Sequence, residues 1–130
     1  MAIDFGKLFT VTPSSNPSVT LVRTPLEYPG TNDNVVIRVR KTTEGWVVDD
    51  GGDAEWFVTT AGGNWRSTAV KNVMGLCRLA FGVEMQEEGK LVLRQKDEAA
   101  IGRAVMQVAQ TAISVFTAAM VRQVWRDDER

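Results

Sequence analysis

Residues 104–121 read AVMQVAQTAISVFTAAMV, a stretch without charge, proline or glycine inside a longer helical run from Asp97 to Arg126. Ile101, Val105, Val108, Ala112, Phe116 and Ala119 recur at three- and four-residue steps, the spacing that brings side chains to one helix face. Ile113, Met120 and Val124 widen that face, while Arg103, Gln107, Gln110, Ser114 and Arg122 fall mostly off it. At about 1.5 Å per residue the run is about 45 Å long. A domain of this size has a radius of gyration of roughly 14 Å. The mismatch predicts a helix that overhangs its own globule, with another chain covering what the globule does not.

Upstream, the pattern changes from helical to alternating. Residues 1–17 read as an arm and loop: Ile3, Phe5, Leu8 and Phe9 give it something to dock with, and Pro13-Ser-Ser-Asn-Pro17 is loop by composition. Ser18–Arg23 reads as a strand ended by Thr24-Pro25, and 28–34 (YPGTNDN) as a turn. Val35–Lys41 is the clearest strand, with Val35, Ile37 and Val39 alternating with Arg38 and Arg40. A turn at 42–45 returns the chain as Trp46–Asp49, completing an antiparallel meander. Asp53 reads as the N-cap of a short helix through Ala61, and Gly62-Gly63 stops it. Ser67 or Thr68 caps a second helix to about Phe81, whose Val70, Val73, Met74, Cys77 and Phe81 form an apolar stripe. Gly82-Val83 fits its C-terminus. Val83–Gln86 and Lys90–Arg94 then make a hairpin around Glu87-Glu88-Gly89, and the long helix follows. The expected fold is one α+β domain over residues 1–130: an antiparallel sheet of about five strands, from a meander and a hairpin, with three helices of which 97–126 is the longest.

The totals narrow the function classes. The chain has 130 residues and a net charge of −1, so its overall electrostatics do not favour nucleic acid. It has no histidine, which excludes Ser-His and Cys-His catalysis and histidine-ligated zinc. The single cysteine, Cys77, excludes an internal disulfide and a thiolate zinc site within one chain, and fits a reducing, cytoplasmic compartment. Met1–Thr12 lacks the basic start and continuous apolar core of a secretory leader. The apolar helix is near the length of a membrane span, but Gln107, Gln110, Thr111, Ser114 and Thr117 favour a buried or interfacial helix.

Two local signatures carry a resemblance. Arg23-Thr24-Pro25-Leu26 is followed after a polar turn by Asn34-Val-Val-Ile-Arg-Val39, and Gly45-Trp-Val-Val-Asp-Asp-Gly-Gly52 runs from a strand into an Asp-Asp-Gly turn. With Phe81-Gly82-Val83, these resemble a family of uncharacterised domains in bacteria, phages and prophages, over roughly residues 18–116. The second glycine and Asp53 depart from the small polar residues often found at that turn. The resemblance implies a setting, phage or prophage accessory genes, and brings no activity with it.

Three groups of residues could carry function. Val108, Ala112, Ile113, Phe116, Met120 and Trp125 would anchor a homodimer or a host protein on the long helix. Arg23, Arg38, Arg40 and Lys41, near Trp46, could contact nucleic-acid phosphates and stack bases, against the plainer reading of a solvated face with acidic cross-strand partners. Asp49, Asp50 and Asp53 could hold Mg²⁺ or Ca²⁺, against the plainer reading of turn and cap residues. A metal-dependent hydrolase is the weakest reading, because no other catalytic group accompanies these carboxylates. The expected function is a non-enzymatic interaction protein without a cofactor, a phage- or prophage-type modulator of a host protein such as a host-defence complex. Nucleic-acid binding is the alternative.

Overall fold

The computed structural model describes residues 9–128, with side chains as far as Met120 apart from Pro13. Four strands come first: β1 (Thr10–Pro13), β2 (Val19–Glu27), β3 (Asn34–Thr42) and β4 (Gly45–Asp49). Then follow α1 (Asp53–Thr60), α2 (Thr68–Phe81), β5 (Glu84–Met85), β6 (Leu91–Gln95) and α3 (Ile101–Asp128). The strands form one antiparallel sheet in the order β1-β2-β3-β4-β6-β5. The fold is α+β, a meander and a hairpin joined by two helices and closed by a long third.

The sheet has six strands among the described residues, where about five were expected. The extra one is β1, inside the segment read as an arm. Its sequence, Thr-Val-Thr-Pro, is too short for alternation to register; pairing with Thr20–Arg23 makes it a strand. Strand β2 also runs past Pro25, which was expected to end it. The described pairing with β1 spans Thr20 to Arg23, short of Pro25. On the other side the register to β3 shifts between Arg23 and Glu27, and side chains bridge the gap. Thr24 Oγ1 donates to the Val35 carbonyl at 2.8 Å, and Asn34 Nδ2 donates to the Thr24 carbonyl at 2.8 Å.

Capping follows sequence chemistry at α2. Ser67 Oγ accepts from Val70 N–H at 3.2 Å, and the helix closes through Gly82 in the left-handed conformation. Helix α3 is entered through a 3₁₀ turn at Glu98–Ala100, where Asp97 Oδ1 accepts from Ala99 N–H at 3.0 Å.

Helix α3 lies in the middle of the molecule, not at its edge. It contacts β2, β3, β4 and β6 on one side and α1 and α2 on the other. Ala104, Val105, Val108, Ala109, Ala112, Val115, Phe116 and Ala119 are all buried. Thr111 is buried as well, its hydroxyl donating to the Gln107 carbonyl one turn back at 2.8 Å. Only Arg103, Gln110, Ser114 and Thr117 are exposed between Ile101 and Met120. A helix apolar over most of its circumference is one that is covered over most of it, and from Ile101 to Met120 this chain's own two layers do the covering. The stretch Glu98–Met120 also meets the length and hydropathy test for a membrane span, yet it forms the core of this fold.

Candidate functional site

The six anchors expected on α3 do not share one environment. Val108, Ala112 and Phe116 are at most 3% exposed, and Phe116 stacks edge-on against Tyr28 at 5.5 Å. They are committed to the interior and offer nothing to a second chain, which corrects the interface drawn from periodicity. That drawing assumed one covering layer, and the fold supplies two. Ile113 and Met120 are half-buried and pack against the same core. The Trp125 side chain lies outside the described residues.

The arginine group is partly spent. Register places Arg23, Arg38 and Arg40 on one sheet face, since Arg23 pairs with Val36, Leu21 with Arg38 and Val19 with Arg40. Arg38 Nε meets Asp49 Oδ1 at 3.1 Å, an ion-pair contact without hydrogen-bond alignment. Arg23 donates to Asn34 Oδ1 at 2.7 Å. Lys41 pairs in register with Trp46, one residue out of phase with Arg40, so both belong to the opposite face, and Lys41 Nζ lies 5.5 Å from the Trp46 ring centroid. The arginines and the aromatic surface expected to work together are on different sides of the sheet.

The acidic turn is a structural joint. Asp50 is fully buried, and its Oδ1 accepts from Gly52 N–H at 2.9 Å and Leu91 N–H at 3.0 Å. Its Oδ2 accepts from Ala54 N–H at 3.1 Å. One carboxylate thus ties the end of β4, the start of α1 and the start of β6. This corrects the expectation that Asp53 caps α1: the flanking residue is Gly52, without a side chain, and Asp50 reaches the helix from four residues before Ala54. Both Gly51 (φ 69°) and Gly52 (φ 83°) are left-handed, a conformation a β-carbon disfavours, and this turns the backbone back towards Asp50. Asp49 Oδ1 accepts from Gly51 N–H at 2.7 Å besides pairing with Arg38.

Burial pushes the Asp50 carboxyl above the usual range, outweighing the three backbone donors that favour its anion. Burial, with the charge of Asp50 next, pushes Asp53 up to about 6. Tyr28 sits against this cluster with 1% exposure and no hydrogen-bond partner for its hydroxyl, and burial raises it well above the tyrosine range. With Asp49 and Asp50 occupied by backbone donors, the three carboxylates do not converge as ligands. No metal-holding group of acidic, histidine or cysteine side chains occurs among the described residues.

A surface that periodicity did not single out lies between α2 and the β5–β6 hairpin. It is a groove of about 820 Å³. Trp65, Val70, Met74, Val83 and Met85 contribute apolar lining; Arg66, Lys71 and Arg78 stand on the helix side, Glu84 and Glu87 on the hairpin side, and Glu55 of α1 joins them. On α2, outside the groove's lining, Leu79 is 85% and Leu76 is 67% exposed. The signal was present in the sequence: with Val70, Met74 and Cys77 pointing inward, Leu76 and Leu79 must point out. No family model, curated protein or solved structure matches the chain.

Proposed function

We propose that this chain is a non-enzymatic protein-interaction module that docks its partner on the surface formed by α2 and the β5–β6 hairpin. The observation that carries the reading is helix α2 itself, with an apolar-lined groove on one flank and Leu76 and Leu79 in solvent on another. Isolated exposed leucines are ordinary, but two of them on a helix that also walls a charge-rimmed apolar groove mark it as a candidate protein contact. In the setting that the resemblance implies, the partner is a host protein and the chain its phage- or prophage-encoded modulator. Self-association belongs to the same surface, because the described anchors of α3 are buried or half-buried against the core.

The test is the double substitution Leu76→Glu/Leu79→Glu. Both side chains are already in water, so stability should change by less than about 0.5 kcal/mol. Affinity capture from nuclease-treated lysate should then show a stoichiometric protein held by the wild type and lost by the variant. Light scattering run alongside identifies the partner as a second copy if a dimer becomes a monomer. A set of bound proteins unchanged by the substitutions, with no change in mass, sinks the reading. The nucleic-acid alternative rests on Arg23 and Arg40, exposed on one sheet face with the ion-paired Arg38 between them, and on Lys41, exposed on the other. It would need binding that falls steeply with salt.

A further inference from the structure

Resting on that reading of the α2–hairpin surface, the geometry points to a definite occupant: an extended peptide of a partner protein that adds to the free edge of β5, with an apolar side chain in the groove and acidic side chains against α2.

The edge follows from register. Glu84 pairs with Val92 and Met85 with Leu91, and Gln86 N–H donates to the Lys90 carbonyl at 2.8 Å. Antiparallel ladders alternate, so the Met85 N–H and C=O turn away from β6. The same alternation shows on the neighbouring strand. Leu91 N–H donates to Asp50 Oδ1 at 3.0 Å and its carbonyl accepts from Asp50 N–H at 3.2 Å, both on the side away from β5. Strand β5 ends the sheet, and the groove lies between it and α2. The outward N–H and C=O of Met85, beside a helix, offer an extended chain one pair of backbone bonds to add to.

The opposite wall has room for one. Gly75 stands in the middle of α2 on the groove side, and a β-carbon there would meet nothing within 4 Å. Glycine weakens a helix interior, and no internal contact or positive φ calls for it here. Its absent side chain widens the gap between helix and strand. Met85, on the inner face with Leu91, and Met74 across from it give an adaptable floor for a single apolar anchor.

Charge sets the flanks. Lys71 and Arg78 stand on either side of Gly75, and neither enters an ion pair or side-chain hydrogen bond among the described residues. They are about 10 Å apart along the helix. Inward side chains of an extended chain recur every ~7 Å. Acidic residues two before and two after the anchor stand ~14 Å apart, a spacing the long Lys71 and Arg78 side chains can meet by leaning outward along the helix, and outward residues pass Glu84.

The experiment uses the full chain and two end-blocked synthetic heptapeptides. One alternates threonine with glutamate, leucine and glutamate; the other has lysine for both glutamates. Amide hydrogen exchange and NMR titration report the contact. The glutamate peptide should slow exchange of the Met85 amide about tenfold, and bind about tenfold tighter than the lysine peptide. Gly75→Gln, filling the gap, should weaken it by a similar factor, with an otherwise unchanged spectrum confirming the fold. Equal binding of the two peptides, a Met85 amide already protected in the free protein, or shifts confined to Leu76 and Leu79 would overturn strand addition. If strand addition fails while Leu76→Glu/Leu79→Glu still releases a captured protein, the docking surface stands and only its occupant was wrong.

Discussion

Replacing Asp50 with alanine should unfold much of what the acidic turn holds together. Its carboxylate accepts from Gly52, Ala54 and Leu91 N–H groups at 2.9, 3.1 and 3.0 Å, and the Ala54 and Leu91 residues are themselves fully buried. Hydrogen bonds to a charged acceptor contribute about 1.5–3 kcal/mol each, so three amount to roughly 5–9 kcal/mol gross. Relief from desolvating the carboxylate returns several kcal/mol. The net loss should be about 3–4 kcal/mol, a large part of the 5–15 kcal/mol typical of a domain. Asp50→Asn can keep Oδ1 with Gly52 and Leu91 but turns an amide N–H₂ towards the Ala54 donor, and should lose about 2 kcal/mol. Urea unfolding at neutral pH measures both, with an unchanged slope m assigning the shift to stability. An alanine variant within about 1 kcal/mol of wild type, or one more stable than the asparagine variant, would refute the joint described here.

Other perturbations probe the same layers. Asp53 has a folded value of about 6 against an ordinary 3.8, raised first by burial, so the folded state holds its proton more tightly. Its contribution is complete below about 4 and lost as pH rises through about 6. Asp50, also raised, acts with the same sign. After allowance for solvent screening at this half-buried group, stability should fall by about 1 kcal/mol between pH 5 and pH 7.5. Asp53→Asn should flatten that slope, and a wild type that gains stability over the range would contradict the assignment. Tyr28→Phe removes a buried hydroxyl without a partner and should stabilise by about 1 kcal/mol in thermal melts; a loss of similar size would reveal a bond to that oxygen. Phe116→Ala should cost about 3–5 kcal/mol independent of protein concentration, because the ring is in this chain's own core. Loss of a dimer with unchanged monomer stability would instead return Phe116 to an interface. Gly75→Ala should stabilise by about 1 kcal/mol in urea, since its β-carbon enters open space; destabilisation would mean that the groove is closed in solution.

What the sequence made legible was what local rules decide. Alternation at Val35, Ile37 and Val39 set the central strand, and Ser67 and Gly82 bounded α2. What it hid depends on contacts far apart in the chain. Asp50 is an ordinary turn aspartate until Leu91, 41 residues on, supplies a donor. Strand β1 exists because β2 extends a ladder to it, and β2 passes Pro25 where the register to β3 shifts and the Thr24 and Asn34 side chains bridge the gap. Periodicity on α3 correctly found a helix with a wide apolar arc. It could not count the layers meeting that arc, and this alone decides whether Val108, Ala112 and Phe116 are core or interface.

The central position of α3 has a consequence for where a partner can bind. With the sheet on one side and α1 and α2 on the other, the helix layer turns its remaining apolar side chains outward, Leu76 and Leu79 on α2 and Trp56 on α1. Among the described residues the sheet ends in two edges, β1 and β5. At β1 the described strand closes on Pro13, which has no N–H to offer an incoming chain. At β5 the edge is only two residues long, too short to template uncontrolled sheet growth, and its neighbour is the basic wall of α2 rather than open solvent. A short edge lowers the risk of aggregation, while the flanking helix restricts what can add to it. Length thus limits affinity from the backbone, and selectivity must come from the side chains that reach Lys71, Arg78 and the Met74–Met85 floor.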